Sequence, residues 1–173
     1  MNVQNSRTIA NPTIPARPAI LIVEDELILA KDLQRTLIDL GYDAFAIASS
    51  AEAAVKCAYE RCPDLVLMDI RIKGPYDGIE TARILKKLFA TAIIYVTAHA
   101  DQAMIDRAKK TEPHGYLRKP VDVFDLCTTV EIALYKHPLE QARADKAETE
   151  KGQRTELLRM AVRCTRATQT FVR

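Results

Sequence analysis

Short apolar runs recur along the central part of the chain. Their centres lie roughly 20 to 28 residues apart, which is the length of a strand, a helix and two loops. The runs are continuously apolar rather than alternating, as expected of strands that helices cover on both faces. The pattern therefore predicts a central parallel sheet. The five predicted strands are Ala19 to Val23, Ala44 to Ala48, Leu65 to Met68, Ile93 to Val96 and, more weakly, Gly115 to Leu117.

The segments between these runs have the spacing of amphipathic helices. In the first segment a stripe of leucines ends at Leu40, and Gly41 follows as a C-terminal stop. Ser50 precedes the second segment as a candidate N-cap. Strand and helix alternate throughout, so the fold class predicted is a doubly wound α/β fold. The predicted helices are Leu27 to Leu40, Ser50 to Arg61, Gly78 to Phe89, Gln102 to Lys109 and Val123 to Tyr135.

The two ends of the chain differ from the centre. Residues 1–18 are polar, contain three prolines and lack a hydrophobic period, so we expect a disordered N-terminal arm. Residues 19–137 form the predicted domain. Residues 138–173 are predicted to continue the last helix as a charged extension without its own core, because their apolar positions sustain no heptad and Gly152 interrupts them.

Composition excludes several classes of protein. The formal net charge of +2 over 173 residues is too small for a dedicated nucleic-acid binder. The first 18 residues lack the apolar stretch of a signal peptide, and no later run is long enough to span a bilayer. The four cysteines match no zinc or thioredoxin-like spacing, and His99, His114 and His137 are scattered, so none receives a role. We expect a cytoplasmic protein that neither enters a membrane nor binds nucleic acid.

Polar side chains follow the predicted strands where each one ends. Glu24 and Asp25 come after the first strand, Asp69 after the third, Thr97 after the fourth and Lys119 after the fifth. In an open α/β sheet, ligands bind beyond the carboxyl ends of the strands, so these side chains should converge. Three such carboxylates repel one another unless a cation neutralises them, and hard oxygen ligands suit Mg²⁺.

The same set suits the transfer of phosphate to a carboxylate. Lys119 supplies a compact positive charge for a phosphoryl group, and the Thr97 hydroxyl can donate to another of its oxygens. A carboxylate nucleophile forms an acyl phosphate when a metal and a lysine stabilise the charge that develops. Asp69, central in the sheet, is the predicted nucleophile.

Five ordered motifs resemble those of response-regulator receiver domains, the phosphoryl-accepting modules of two-component signal transduction. The resemblance covers about residues 19–137. It implies a flavodoxin-like sheet of strand order 2-1-3-4-5 and a signalling domain rather than an enzyme. The motifs are Leu21-Ile22-Val23-Glu24-Asp25-Glu26, Leu67-Met68-Asp69-Ile70, Asp77-Gly78-Ile79-Glu80, Val96-Thr97-Ala98 and Leu117-Arg118-Lys119-Pro120.

Carried over residue by residue, the resemblance implies a metal site beside the phosphoacceptor. Glu24 and Asp25 would hold Mg²⁺ together with Asp69 and the backbone carbonyl of Arg71. Asp69 would accept the phosphoryl group from a sensor histidine kinase or a phosphotransfer protein. The loop from Asp69 to Asp77 is one residue longer than the commonest family pattern. This departure weakens the expectation that the Arg71 carbonyl is a metal ligand.

The resemblance also implies a switch. Thr97 and Lys119 would contact the phosphoryl group, a cis peptide bond before Pro120 would direct Lys119 into the site, and the ring of Tyr116 would move inward. The surface of the fourth helix, fifth strand and fifth helix would then bind an output partner or a second copy of the domain. Taken alone, Tyr116 is equally well read as a core aromatic.

Two other functions remain open from the residues. One is a receiver-like interaction module that is never phosphorylated, which has the same residues but no partner kinase. The other is a metal-dependent phosphatase with an aspartate nucleophile. Such enzymes carry a general acid two residues after the nucleophile, where this chain has Arg71. The identity of the kinase, the signal, the output target and the oligomeric state, and whether the chain stands alone or is part of a larger protein, are not encoded in any motif.

Overall fold

The structure, a computed structural model, describes the backbone of residues 17–98 and 101–169, and the side chains of these residues up to 147 and of 149. The expectation of a disordered arm over residues 1–18 therefore falls almost entirely outside the described residues. The proposed boundaries of the domain at 19 and 137 remain predictions, because helix and chain run on continuously past residue 137.

Five parallel strands form one sheet in the order β2-β1-β3-β4-β5, which confirms the predicted fold class and strand order. Four strands run further than the apolar pattern predicts, because backbone pairing includes a polar residue at one end of each: Asp43, Asp69, Thr97 and Arg118. The strands are β1 Ala19–Val23, β2 Asp43–Ala48, β3 Leu65–Asp69, β4 Ala92–Thr97 and β5 Gly115–Arg118.

Five helices alternate with the strands, and four begin at a side-chain cap, the last one at Asp122, whose carboxylate accepts from the Phe124 amide at 2.8 Å. Ser50 Oγ accepts a hydrogen bond from the amide of Ala53, as predicted, and Asp77 and Asp101 cap their helices in the same way. The helices are α1 Leu27–Asp39, α2 Ala51–Glu60, α3 Gly78–Leu88, α4 Gln102–Lys109 and α5 Val123–Gln169.

The core lies on both faces of the sheet, since successive strand residues point to opposite sides. One face packs against α1 and α5, with Leu37 and Val130 among its fully buried residues. The other face packs against α2, α3 and α4, and Leu85 and Tyr95 are among its fully buried residues. Every residue of β1, β3 and β4 is buried, whereas the edge strand β5 buries only Leu117.

Helix α5 is much longer than its first amphipathic segment. It spans 47 residues and passes through Pro138, which confirms that the last helix continues into the C-terminal extension. Over the part of the chain that the structure describes, no helix combines the length and the apolar character that crossing a bilayer requires.

Candidate functional site

Three acidic side chains meet at the carboxyl ends of β1 and β3. Glu24 and Asp25 directly follow β1, and Asp69 is the last residue of β3. One carboxylate oxygen from each of the three lies within 4.8 Å of the others. Glu24 is 2% exposed and Asp69 6%, so the cluster is held in the protein rather than in bulk water. The sequence-based expectation that these residues converge is confirmed.

The ammonium group of Lys119 lies between two of these carboxylates. Its Nζ donates to Glu24 Oε2 at 2.5 Å and to Asp69 Oδ2 at 2.6 Å. The backbone of Lys119 is fixed by its own amide, which donates to the Thr97 carbonyl at 2.9 Å. The Lys119–Pro120 peptide bond is cis, as the family resemblance implied.

Burial and ion pairing act against each other in this cluster. Burial raises the pKa of Glu24, with the charge of Asp69 adding to the effect, although the hydrogen bond from Lys119 opposes it. Burial by itself would lower the pKa of Lys119, but its hydrogen bonds to Asp69 and Glu24 outweigh burial and raise the pKa. Lys119 is therefore held in its charged form beside the Asp69 carboxylate.

Two backbone contacts position Asp69. Its Oδ1 accepts a hydrogen bond of 3.0 Å from the amide of Arg71, which orients the carboxylate. The start of α3 packs directly on the end of β3: the amide of Gly78 donates to the Ile70 carbonyl at 2.9 Å, and a Cβ at Gly78 would lie 1.8 Å from the Asp69 carbonyl oxygen. Gly78 was predicted as a motif residue, but its steric role was not.

A second lysine reaches the site from the β3–α3 loop. Lys73 Nζ lies 3.3 Å from Asp25 Oδ2. The long loop was expected to border the site, but the sequence did not indicate which of its side chains would turn back onto an acid. Its ion pair with Asp25 means that all three acids have a lysine partner in this structure.

The hydroxyl and aromatic residues predicted for the switch lie at the neighbouring strand ends. Thr97 ends β4, with 9% of its surface exposed, and borders a cavity of about 560 Å³ that Tyr116 and Lys109 also line. Tyr116 is 42% exposed, and its ring centroid is 5.6 Å from that of Tyr95. Tyr95, which sequence reasoning took only as part of an apolar run, lies fully buried beneath it.

The donor set suits a hard divalent cation. Carboxylate oxygens are the protein ligands that Mg²⁺ prefers, and it usually keeps several waters beside one or two carboxylates. Among the residues that the structure describes, Glu24, Asp25 and Asp69 are the only three potential metal-ligating side chains found this close together. The residues present therefore fit the metal that the resemblance implies.

The family model of the response regulator receiver domain matches residues 20–131. The chain belongs to the response-regulator receiver family. Two curated regulatory proteins are similar to this chain. The transcriptional regulatory protein PdtaR of Mycobacterium tuberculosis is 32% identical over 127 residues, covering 73% of this chain and 60% of the relative. The phyllosphere-induced regulator PhyR of Methylorubrum extorquens is 30% identical over 117 residues, covering 67% of this chain and 43% of PhyR.

Solved structures match the receiver in the same region. The signal receiver domain of a modulated diguanylate cyclase from Desulfovibrio desulfuricans G20 is 40% identical, with a TM-score of 0.69, and covers 72% of this chain and 98% of its own. The N-terminal domain of a response regulator from Carboxydothermus hydrogenoformans is 34% identical, with a TM-score of 0.64, and covers 73% and 98%. The chain spans about half the length of the curated relatives named above.

Proposed function

We propose that this receiver takes a phosphoryl group onto Asp69 from a phosphohistidine and thereby changes a protein-binding surface. The observation that supports this most strongly is the position of the Lys119 ammonium, 2.6 Å from Asp69 Oδ2 and hydrogen-bonded to Glu24 as well. A lysine on an acceptor carboxylate places a positive charge where the oxygens of an incoming phosphoryl group would lie.

Glu24, Asp25 and Asp69 would hold Mg²⁺, with the Arg71 carbonyl as a further oxygen ligand. When bound, the ion would supply positive charge that offsets the acids and the phosphoryl oxygens. The structure supports the three carboxylates through their mutual distances. For Arg71 it supports only the amide contact to Asp69, so the carbonyl ligand rests on the family resemblance.

The transfer itself needs no group on the protein to give up a proton. A carboxylate oxygen of Asp69 attacks phosphorus in line and the new O–P bond forms. The N–P bond of the donor phosphohistidine breaks with its electron pair staying on nitrogen, and because the other ring nitrogen of the donor is protonated, the donor leaves as neutral imidazole. Lys119 exchanges its carboxylate contact for the transferred oxygens. The donor would be a sensor histidine kinase or a phosphotransfer protein, which places the chain in the cytoplasm.

The consequence of phosphorylation would be a change of surface rather than further chemistry. The Thr97 hydroxyl would turn toward the phosphoryl group, and Tyr116 would move from its half-exposed position into the cavity that it borders with Thr97. That movement alters the face made by α4, β5 and α5. An output partner or a second copy of the receiver would bind there.

The proposal is tested by intact-protein mass after incubation with Mg²⁺ and acetyl phosphate. The native chain should gain one phosphoryl group, the gain should require Mg²⁺, and Asp69→Asn should show none because its amide is not a nucleophile. Asp64→Asn serves as control, since Asp64 lies at the other end of β3, where its carboxylate accepts from the Ala19 amide.

Equal labelling of the native chain and of Asp69→Asn would refute the role of Asp69 as acceptor. Labelling of neither would favour a binding module that is never phosphorylated.

A further inference from the structure

Two histidines and a glutamate meet at the end of the sheet opposite the acidic cluster. His114 directly precedes β5 and has a side chain only 5% exposed, and His137 and Glu140 lie on α5. His114 Nε2 is 3.2 Å from His137 Nδ1 and 3.4 Å from Glu140 Oε2. The two rings meet edge to face, with centroids 4.9 Å apart. We call these three residues the histidine clasp.

The backbone of β4 fixes where the protons of the clasp lie. The Ile93 amide donates to His114 Nδ1 at 3.2 Å, so this nitrogen carries no proton and the neutral ring carries its proton on Nε2. That Nε2–H donates to His137 Nδ1, with the more distant Glu140 carboxylate as a second acceptor. His137 must then carry its own proton on Nε2, an atom that is buried and has no partner among the described residues.

The clasp spans a turn of α5 that lacks one helical hydrogen bond. Pro138 has no amide hydrogen, so the Leu134 carbonyl loses the helical hydrogen bond that residue 138 would otherwise donate. His114 contacts α5 at His137, just before the proline, and at Glu140, just after it. Because α5 continues to Gln169, the turn around Pro138 sets the direction of everything that follows. The clasp therefore connects the helix to the sheet on both sides of Pro138, which we call the hinge of α5.

The proton pattern argues against a metal ion in the clasp. A metal-bound histidine normally donates its other ring N–H to an acceptor. In His114 the other nitrogen accepts from Ile93 instead, so binding a metal through Nε2 would leave the ring without any proton. The arrangement is that of a hydrogen-bond relay.

A proton can enter the relay only by breaking it. On His114 Nδ1 it would face the Ile93 N–H, and on His137 Nδ1 it would face the His114 Nε2–H. Burial lowers the pKa of His114, and His137 and Lys86 lower it further, against a partial opposition from Glu140. Glu112 is a further charged group near the clasp, beside Lys86. His137 also borders two surface cavities: Arg17 and Asp64 line the first, and Lys87 lines the second.

We propose that the histidine clasp is a proton-sensitive lock on the hinge of α5. In its neutral form it holds the helix to the sheet across Pro138. Protonation of His114 on Nδ1 sets that N–H against the Ile93 amide, so the ring must leave the position from which it donates to His137. Glu140, the one acid in direct contact with His114 among the described residues, is then the partner of the charged ring. The turn from residue 134 to 141 then loosens, and the helix beyond it changes direction. This device is independent of phosphorylation at the opposite end of the sheet.

The proton positions are testable in the unaltered full chain. Nitrogen-15 NMR of the imidazole rings at neutral pH should show His114 and His137 both protonated on Nε2, with assignments made from single histidine variants. Protonation of His114 on Nδ1 in the neutral ring would overturn the relay, whatever the variants do. The variants serve only to assign the signals, and the proton positions are read from the unaltered chain.

The lock is tested by hydrogen exchange of the α5 peptide around Pro138, corrected for the intrinsic rate at each pH. On lowering the pH from neutral into the range of histidine titration, protection in the native chain should fall by about fivefold, the effect of losing one neutral hydrogen bond.

His114→Asn keeps an acceptor for the Ile93 amide but cannot reach His137, so its protection should be low at both pH values. His99→Asn, which removes the third histidine of the chain, should respond like the native protein. A pH response that persists in His114→Asn, or none in the native chain, would refute the lock.

Discussion

Gly78 controls how closely α3 can approach the end of β3, where Asp69 lies. We expect Gly78→Ala to destabilise the protein by at least about 1 to 3 kcal/mol, the usual cost of overpacking, because the obstacle is the rigid Asp69 carbonyl rather than a flexible side chain. Urea unfolding measures this. At Gly115 a Cβ would clash with the Thr129 methyl at 2.5 Å and touch Ile94 at an ordinary contact distance of 3.6 Å, so the destabilisation by Gly115→Ala should be relieved by Thr129→Ser. No comparable partner exists for Gly78, and a neutral Gly78→Ala would contradict the close packing.

Tyr95 is predicted to make stability depend on pH in the alkaline range. Burial raises its pKa from 10.0 to about 12, with Tyr116 adding to the effect and the hydrogen bond to Thr111 opposing it. The folded state thus keeps the proton longer than the unfolded state does. The stabilisation is complete below pH 10 and is lost as the pH rises from 10 to 12, about 2 to 3 kcal/mol in all.

Tyr95→Phe isolates this effect. Thr111 donates its own hydroxyl hydrogen to the Ala108 carbonyl at 2.7 Å, so Tyr95 is the donor in their mutual bond, and its removal leaves Thr111 still bonded. At neutral pH the variant should lose only about 0.5 to 1.5 kcal/mol. Its free energy of unfolding should fall less steeply than that of the native chain above pH 10. In the variant, tyrosinate absorbance should show that the tyrosine with the highest pKa no longer titrates. If the free energies of unfolding of the variant and of the native chain fell in parallel above pH 10, Tyr95 would not be the cause of the alkaline loss of stability.

At the scale of elements, α5 is attached to the sheet by its first turns. Leu126 is 1% exposed in the core beneath the sheet, whereas Leu139, in the same helix, is 45% exposed. Leu126→Ala should therefore cost about 2 to 5 kcal/mol in unfolding free energy, and the matched Leu139→Ala below about 1 kcal/mol. Comparable losses would mean that the exposed stripe of α5 is covered by a partner in solution, which the concentration dependence of unfolding would reveal.

The elements were predictable wherever burial imposed the pattern. Strands β1, β3 and β4 are buried along their whole length, so each one reads as an apolar run. Strand β5 was the weakest prediction because it is an edge strand and buries only Leu117. The polar ends of β3 and β4 could not be assigned from hydropathy, since Asp69 and Thr97 are in the sheet through backbone pairing alone.

The site was predictable to the extent that strand ends determine it. Glu24, Asp25, Asp69 and Lys119 all lie at the carboxyl ends of strands, and the parallel sheet brings them together. Lys73 could not be found this way because its position depends on the path of a loop. The histidine clasp was missed for a related reason: His114 and His137 are 23 residues apart and meet only because α5 packs back over the sheet. Long-range contacts made by loops leave no period in the sequence.

For the whole molecule, the charge balance of the acidic cluster predicts that Mg²⁺ stabilises the fold. A ligand that binds only the folded state adds RT ln(1 + [L]/Kd), or about 2.7 kcal/mol at a hundredfold excess over Kd. The three carboxylates come from β3 and from the residues after β1, so they are assembled only in the folded chain. We therefore expect the midpoint of thermal unfolding to rise with Mg²⁺ at constant ionic strength.

Asp25→Asn should abolish most of that rise, because it removes one ligand charge while leaving the lysine contacts of Glu24 and Asp69 in place. The same substitution frees Lys73, whose side chain is 82% exposed, so the ion pair is worth under about 1 kcal/mol and the metal-free variant should lose little stability. Glu60→Gln changes the net charge equally, but at the C-terminal end of α2, where Glu60 pairs with Lys56. If Glu60→Gln weakened the response to Mg²⁺ as much as Asp25→Asn does, the ion would be acting through general screening of charge, and the acidic cluster would not be its site.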